Sequence, residues 1–225
     1  MNTDDSNAVS NPDVQTSRRP AITTAFSGYD PPSNLVPIIR RMLDSVPEKY
    51  LTGLVEVVLT NAGNMPRSRR RSVTKSRGRK MRVREVRGLY HPAFHGRQAW
   101  IEIFVDNTLR WWNTRLRRLF PFARDIELSN VLFHEIGHHI HYTARPEFRE
   151  KEDVADIWKA RLMRNYSRQR HRWLGWIIRN LHVGGLLRRA SQKADAMLFS
   201  KGYISRAEYE ESVSLTNSRD RTSRL

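Results

Sequence analysis

The sequence predicts an α+β fold: a small, mainly antiparallel or mixed sheet packed on one motif-bearing helix, with further helices toward the C-terminus. Three observations carry this. Strand-like stretches at Tyr50–Thr60, Met81–Tyr90 and Ala99–Val105 follow one another without the strand–helix alternation of a doubly wound fold. From Thr108 onward the apolar period lengthens to three or four residues. One of these helical stretches, LFHEIGHHIH from Leu132 to His141, places His134, Glu135 and His138 at a spacing that only a helix makes useful.

Residues 1–33 are polar and carry Pro12, Pro20, Pro31 and Pro32 without a sustained period, so a disordered N-terminal arm is expected. A single domain is expected over 34–210. It opens with a short helix, LVPIIRRMLDSV, capped by Asn34, with Pro37 in its first turn and Leu35, Ile38, Ile39, Met42 and Leu43 as the buried stripe. In the first strand Val55, Val57 and Leu59 alternate with Glu56 and Val58. The segment 66–80 carries eight Arg and Lys residues and few apolar anchors, which predicts an exposed basic loop or a long hairpin tip.

Trp100, Ile101, Ile103 and Phe104 mark the best-defined strand. Leu109, Trp112, Leu116 and Leu119 predict a helix that Pro121 breaks. The motif helix is expected over Ile126–Tyr142, with Leu128, Val131, Leu132, Ile136 and Ile140 packed. The next helix is expected over Glu150–Asn165 on a stripe of Val154, Ile157, Trp158 and Leu162. Short helices at Trp173–Ile178 and Val183–Leu187, an amphipathic segment within Ser191–Glu210 with a turn at Gly202, and a frayed tail over 211–225 complete the reading.

Composition narrows the chemistry. Cysteine is absent, so thiolate metal sites are excluded and any zinc must use His and carboxylate ligands, as catalytic sites do. The formal charge is +17, enough to attract nucleic acid, anionic lipid or an acidic protein. No signal-like apolar segment opens the chain and no run approaches the roughly 18 apolar residues of a membrane span, so cytoplasmic residence without membrane insertion is expected.

His134 and His138 share a helix face and can chelate one Zn2+ per chain. Gly137 leaves room for another backbone to approach, a strand for instance. Glu152, near the start of the next helix, is the expected third ligand, with Asp153 or Asp156 as alternatives. Asp156 is otherwise expected to accept the second ring hydrogen of a ligating histidine. His139 and His141 are expected behind the ligands or on the surface. This ligand set leaves a fourth position for water. The expected reaction is hydrolysis of an amide bond in an intracellular protein or peptide, with Glu135 as general base on zinc-bound water. Tyr142, Tyr166, His171 and His182 are candidate oxyanion donors, and spacing does not choose among them. The strand Trp100–Val105 is expected to lie over the cleft and pair with an extended substrate.

The stretch HEIGHHIHYTARPEFREKEDVADIWKARLM resembles the glutamate-ligand zincins (gluzincins), and within them the small ImmA/IrrE-like metallopeptidases. His134, Glu135 and His138 match that family's first helix, Glu152 its ligand glutamate, and Ala155 and Leu162-Met163 the rest more loosely. Asp153-Val154 stands where alanine-rich text is usual, and Arg164 stands where a proline is usual. The resemblance covers roughly residues 100–165. It implies a zincin-like fold and, at its most specific, cleavage of a repressor or other regulator. Arginines and tryptophans in the basic segments allow accessory nucleic-acid contact. The competing function is a basic nucleic-acid-associated or structural protein with a degenerate or purely structural metal site.

Overall fold

A computed structural model of the chain describes residues 19–76, 79–110, 121–145, 147, 151–170 and 184–221. Six strands, β1 (Ala21–Ala25), β2 (Leu54–Thr60), β3 (Val73–Ser76), β4 (Arg79–Arg82), β5 (Gly88–His91) and β6 (Ala99–Phe104), form two sheets. The larger has the order β1-β2-β6-β5, parallel at β1/β2 and β2/β6 and antiparallel at β6/β5. The helices are α1 (Leu35–Asp44), α2 (Arg67–Arg71), α3 (Val105–Thr108), α4 (Pro121–Ala144), α5 (Lys151–Arg170), α6 (Gly184–Ser200) and α7 (Arg206–Arg221). This is the expected α+β, zincin-like plan: a mixed sheet packed on the motif helix α4, with α5 to α7 following.

Alternation sorts the sheet residues by face. Val57, Leu59, Ile101 and Ile103 are fully buried in one cluster with Leu128, Leu132, Phe133 and Ile136 of α4 and the whole predicted stripe of α1. On the opposite face Phe104 packs with Met65, Val83 and Val86 from the basic insert between β2 and β6. That insert is a short helix and a β3/β4 hairpin, so of the loop and the hairpin expected for this segment the structure has the hairpin, preceded by a helix. Val55, expected inside, is exposed, because the β2/β6 register shifts between Leu54 and Glu56 and turns it outward.

Other expectations are corrected. Part of the presumed disordered arm is ordered: Ala21–Ala25 pairs in parallel with β2, so β1-α1-β2 is a parallel crossover unit. Arg19 helps anchor this segment by donating to the Leu43 and Val46 carbonyls at the end of α1, at 2.7 and 2.8 Å. Asn34 precedes α1 in the left-handed region (φ 66°) and makes no side-chain cap. Pro121 opens α4 rather than only ending the preceding run, since a proline at the first helical position forfeits no intrahelical bond. The second predicted strand splits into β4 and β5 around a 3-10 turn at Val83–Glu85. The tail expected to fray from 211 continues as α7 to Arg221. The predicted Trp-rich helix lies largely outside the described residues, and the one at Trp173–Ile178 wholly so.

Two ionic features hold the C-terminal helices. Asp195 of α6, with its side chain 3% exposed, accepts from Arg161 at 2.6 Å and from Arg164 at 2.7 Å on α5. Asp195→Ala leaves these guanidiniums without their carboxylate, and chemical denaturation is expected to register a loss of about 3–5 kcal/mol. At the start of α7, Ser205 and Glu208 form a reciprocal capping box. Glu208 also takes hydrogen bonds from Tyr50 and Lys49. Burial alone would raise the Glu208 carboxyl, but these donors outweigh it and lower it to about 2. Because the folded pKa is depressed, the stabilisation is present above the ordinary carboxylate value and lost as pH falls from about 4.5 to about 2. Unfolding midpoints followed across that window should drop more steeply for the native chain than for Glu208→Gln.

Candidate metal centre

The fold brings the predicted donors together at the crossing of α4 and α5. His134 and His138 stand one turn apart, their ring centroids separated by 4.8 Å and their planes nearly perpendicular at 84°. Glu152, in the first turn of α5, reaches both: Oε2 lies 3.5 Å from His134 Nε2 and Oε1 lies 3.9 Å from His138 Nε2. One ligand atom from each of the three falls within 4.8 Å of the others. A tetrahedral ion with ligand bonds near 2.1 Å spaces its donors by about 3.4 Å, so small side-chain adjustments suffice.

Why α5 arrives here is written in two small residues. A Cβ on Gly137 would lie 2.7 Å from the Ala155 Cα and carbonyl oxygen, so the helices cross in near backbone contact at that point. The close neighbour is thus a helix rather than a strand. This crossing sets Glu152, one turn before Ala155, opposite the two histidines.

The residues fit a dication. Glu152 Oε2 is buried and makes no hydrogen bond among the described residues, an acceptor that an ion would satisfy. His134 Nδ1–H donates to Asp156 Oδ1 at 3.1 Å, which fixes the tautomer and leaves Nε2 as the lone pair facing Glu152. Burial lowers the His134 pKa despite the Asp156 and Glu152 charges beside it, favouring the neutral, ligating imidazole. Lys159 Nζ holds the same Asp156 oxygen at 2.8 Å. Of the alternative third ligands, Asp156 is engaged behind His134 and Asp153 is exposed, outside the cluster. Asp156→Ala is expected to weaken zinc affinity by about 10–100-fold in chelator competition, and Asp156→Asn by less, since its amide oxygen still accepts the Nδ1 proton.

Glu135 sits between the donors and the sheet. Burial, reinforced by the Glu152 charge, pushes its carboxyl up to about 8, although the Tyr90 backbone N–H donates to it and lowers it. Gly88 makes this approach of β5 feasible: a Cβ there would meet Val131 at 2.6 Å and Glu135 Oε1 at 2.7 Å. The strand over the site is therefore β5, the sheet's edge, while the expected Trp100–Val105 strand is the interior β6.

The remaining histidines of α4 are buried rather than superficial. His139 Nε2–H donates to the Thr52 carbonyl at 3.0 Å, leaving Nδ1 to accept from the Tyr90 hydroxyl at 3.2 Å. It thereby ties β5 and the turn before β2 to α4. His141 Nδ1 bonds the Tyr203 hydroxyl at 2.7 Å, tying α4 to the turn after α6. Among the oxyanion candidates, Tyr142 is exposed and its ring lies against Tyr90. Tyr166 is buried against Phe133, placing its ring in the core. His171 and His182 lie outside the described residues. Tyr90 is the site residue that sequence reading misses. Its one signal is Gly88 inside an otherwise strand-like run, a mark of close backbone approach.

No family model, curated protein or solved structure matches the chain. Among the described residues, no helix is long and apolar enough to cross a membrane. The His134-Glu135-x-x-His138 and Glu152 arrangement on adjacent helices is consistent with a zincin-like metal site and with a metalloenzyme-like active site.

Proposed function

We propose that this chain is a zinc-dependent metallopeptidase of the gluzincin type, similar in its motif to the ImmA/IrrE-like enzymes. The observation that carries the reading is the convergence of His134, His138 and Glu152 with a buried carboxylate, Glu135, and a sheet edge, β5, alongside. A purely structural site has no need of the last two.

His134, His138 and Glu152 would hold the ion, and Asp156 keeps His134 in the tautomer that can ligate it. When bound, Zn2+ acidifies water and polarises the substrate carbonyl. An extended substrate pairs with the outer edge of β5, which places its scissile amide near Glu135. Glu135 takes the proton from the attacking water and hands it to the departing amine. Burial is the main cause of the raised Glu135 carboxyl; the Glu152 charge adds to it, and that added part is what a bound dication would neutralise. Tyr142, four residues after His138 on the same face of α4, supplies the oxyanion donor.

The test is a zinc-loaded sample incubated with denatured protein and a mixed peptide library, new N-termini being read by mass spectrometry. Cleavage should stop with a zinc chelator and return on adding Zn2+. Chelator-insensitive cleavage, or none at full zinc occupancy, overturns the reading and favours a metal-stabilised binding protein.

A further inference from the structure

On the sheet face opposite α4, five arginines line one cavity of about 530 Å³: Arg67, Arg70 and Arg71 of α2, with Arg82 and Arg84 from the end of the hairpin and the turn after it. On a helix, positions 67, 70 and 71 share a face. Arg69 points the other way, to Glu102 of β6, where both oxygens accept from its guanidinium. Arg69 thus anchors α2 to the sheet and turns the other three toward the cavity. Arg70 is itself pinned, donating to the Met65 and Gly63 carbonyls at 2.7 and 2.8 Å. Among the described residues the one carboxylate paired with the five is Glu85, 3.7 Å from Arg84.

Five guanidiniums around one cavity repel each other, and among the described residues a single acid offsets them. A ligand with several adjacent negative charges removes that repulsion. Planar guanidinium forks match phosphate oxygens pairwise. Among the described residues the lining carries no aromatic ring on which a base could stack, so the cavity reads charge spacing rather than base identity. We propose that this cavity binds a run of neighbouring phosphates, either the backbone of a nucleic-acid strand or a free polyphosphate. It is separate from the metal centre and independent of whether that centre is catalytic.

The experiment uses the full chain and three probes: a fluorescent mixed-sequence oligonucleotide, inorganic tripolyphosphate and poly-glutamate. Arg67→Gln, Arg71→Gln and Arg82→Gln are combined, sparing Arg69 and Arg70, which hold the local fold. A control combines Arg41→Gln, Arg189→Gln and Lys193→Gln, three exposed cations elsewhere. Circular dichroism and zinc content should match the parent in both. The cavity variant should lose at least about tenfold in affinity for the phosphate probe, and if that probe is the oligonucleotide its log–log salt slope should fall by about 2–3 units. The control should change little. Oligonucleotide binding that tripolyphosphate does not displace identifies a strand as the source, and displacement identifies free polyphosphate. Equal losses in both variants, no binding of either phosphate probe, or poly-glutamate binding with the same sensitivity to the cavity variant overturns the proposal.

Discussion

Combining His134→Ala with His138→Ala should take the zinc content of the purified protein from about one per chain to near zero. Each imidazole faces the same carboxylate, His134 at 3.5 Å and His138 at 3.9 Å, so removing both leaves Glu152 alone, and one carboxylate does not retain a transition metal against a chelator. Glu152→Ala is the sharper test, because Glu152 comes from a different helix. Its loss should weaken affinity by more than the roughly 10–100-fold expected for a partner behind a ligand such as Asp156. Zinc retained at native affinity in Glu152→Ala would remove it from the ligand set. A parallel drop in Asp153→Ala would transfer the role there, against the exposure of that side chain. Far-ultraviolet circular dichroism separates ligand loss from unfolding, since the α4/α5 crossing rests on Gly137 and Ala155, which these variants leave intact.

The legible part of this site is the part built by one helix. The spacing of His134, Glu135 and His138 fixes their relation before any tertiary contact is known. Glu152 and Asp156 are likewise one turn apart, so placing one nearly places the other. What joins the two helices is less visible: Gly137 signals a close approach, but nothing local says that Ala155 is the neighbour. The α1 stripe was readable for the same reason as the motif, since Leu35, Ile38, Ile39, Met42 and Leu43 report one period and one buried face. The strands were harder. β1 has an exposed burial pattern and so carries no amphipathic alternation to find. Val55 obeys the alternation in sequence and breaks it in space, because a register shift is a property of the pair of strands. Tyr90 shows the same limit: its bond to Glu135 comes through a backbone N–H that any residue but proline could supply, and its hydroxyl meets His139, 49 residues further on, which no local pattern announces. His139 and His141 read as polar positions on a helix, yet both are buried, each bonded through Nδ1 to a tyrosine hydroxyl from far along the chain.

Glu135→Gln should lower kcat for peptide cleavage by about 10²–10⁴-fold while zinc content stays at the parental level. The amide keeps the size of the side chain and an oxygen to accept from the Tyr90 N–H, so the docking of β5 on α4 survives. Only the capacity to take and return a proton is lost. KM should therefore change little, because a substrate pairing with the β5 edge as proposed would bind through main-chain groups the substitution leaves in place. Glu135→Asp separates reach from charge. It retains a carboxylate but draws it back by one methylene from its place beside Gly88, and its activity should fall between the native and Gln forms. If Glu135→Gln cleaves at the native rate, the proton is handled elsewhere and Glu135 serves only to hold β5. If it loses zinc instead, Glu135 belongs among the ligands. Retained metal with abolished turnover would separate the base from the ligands, as expected for a carboxylate that burial and Glu152 hold well above its ordinary pKa.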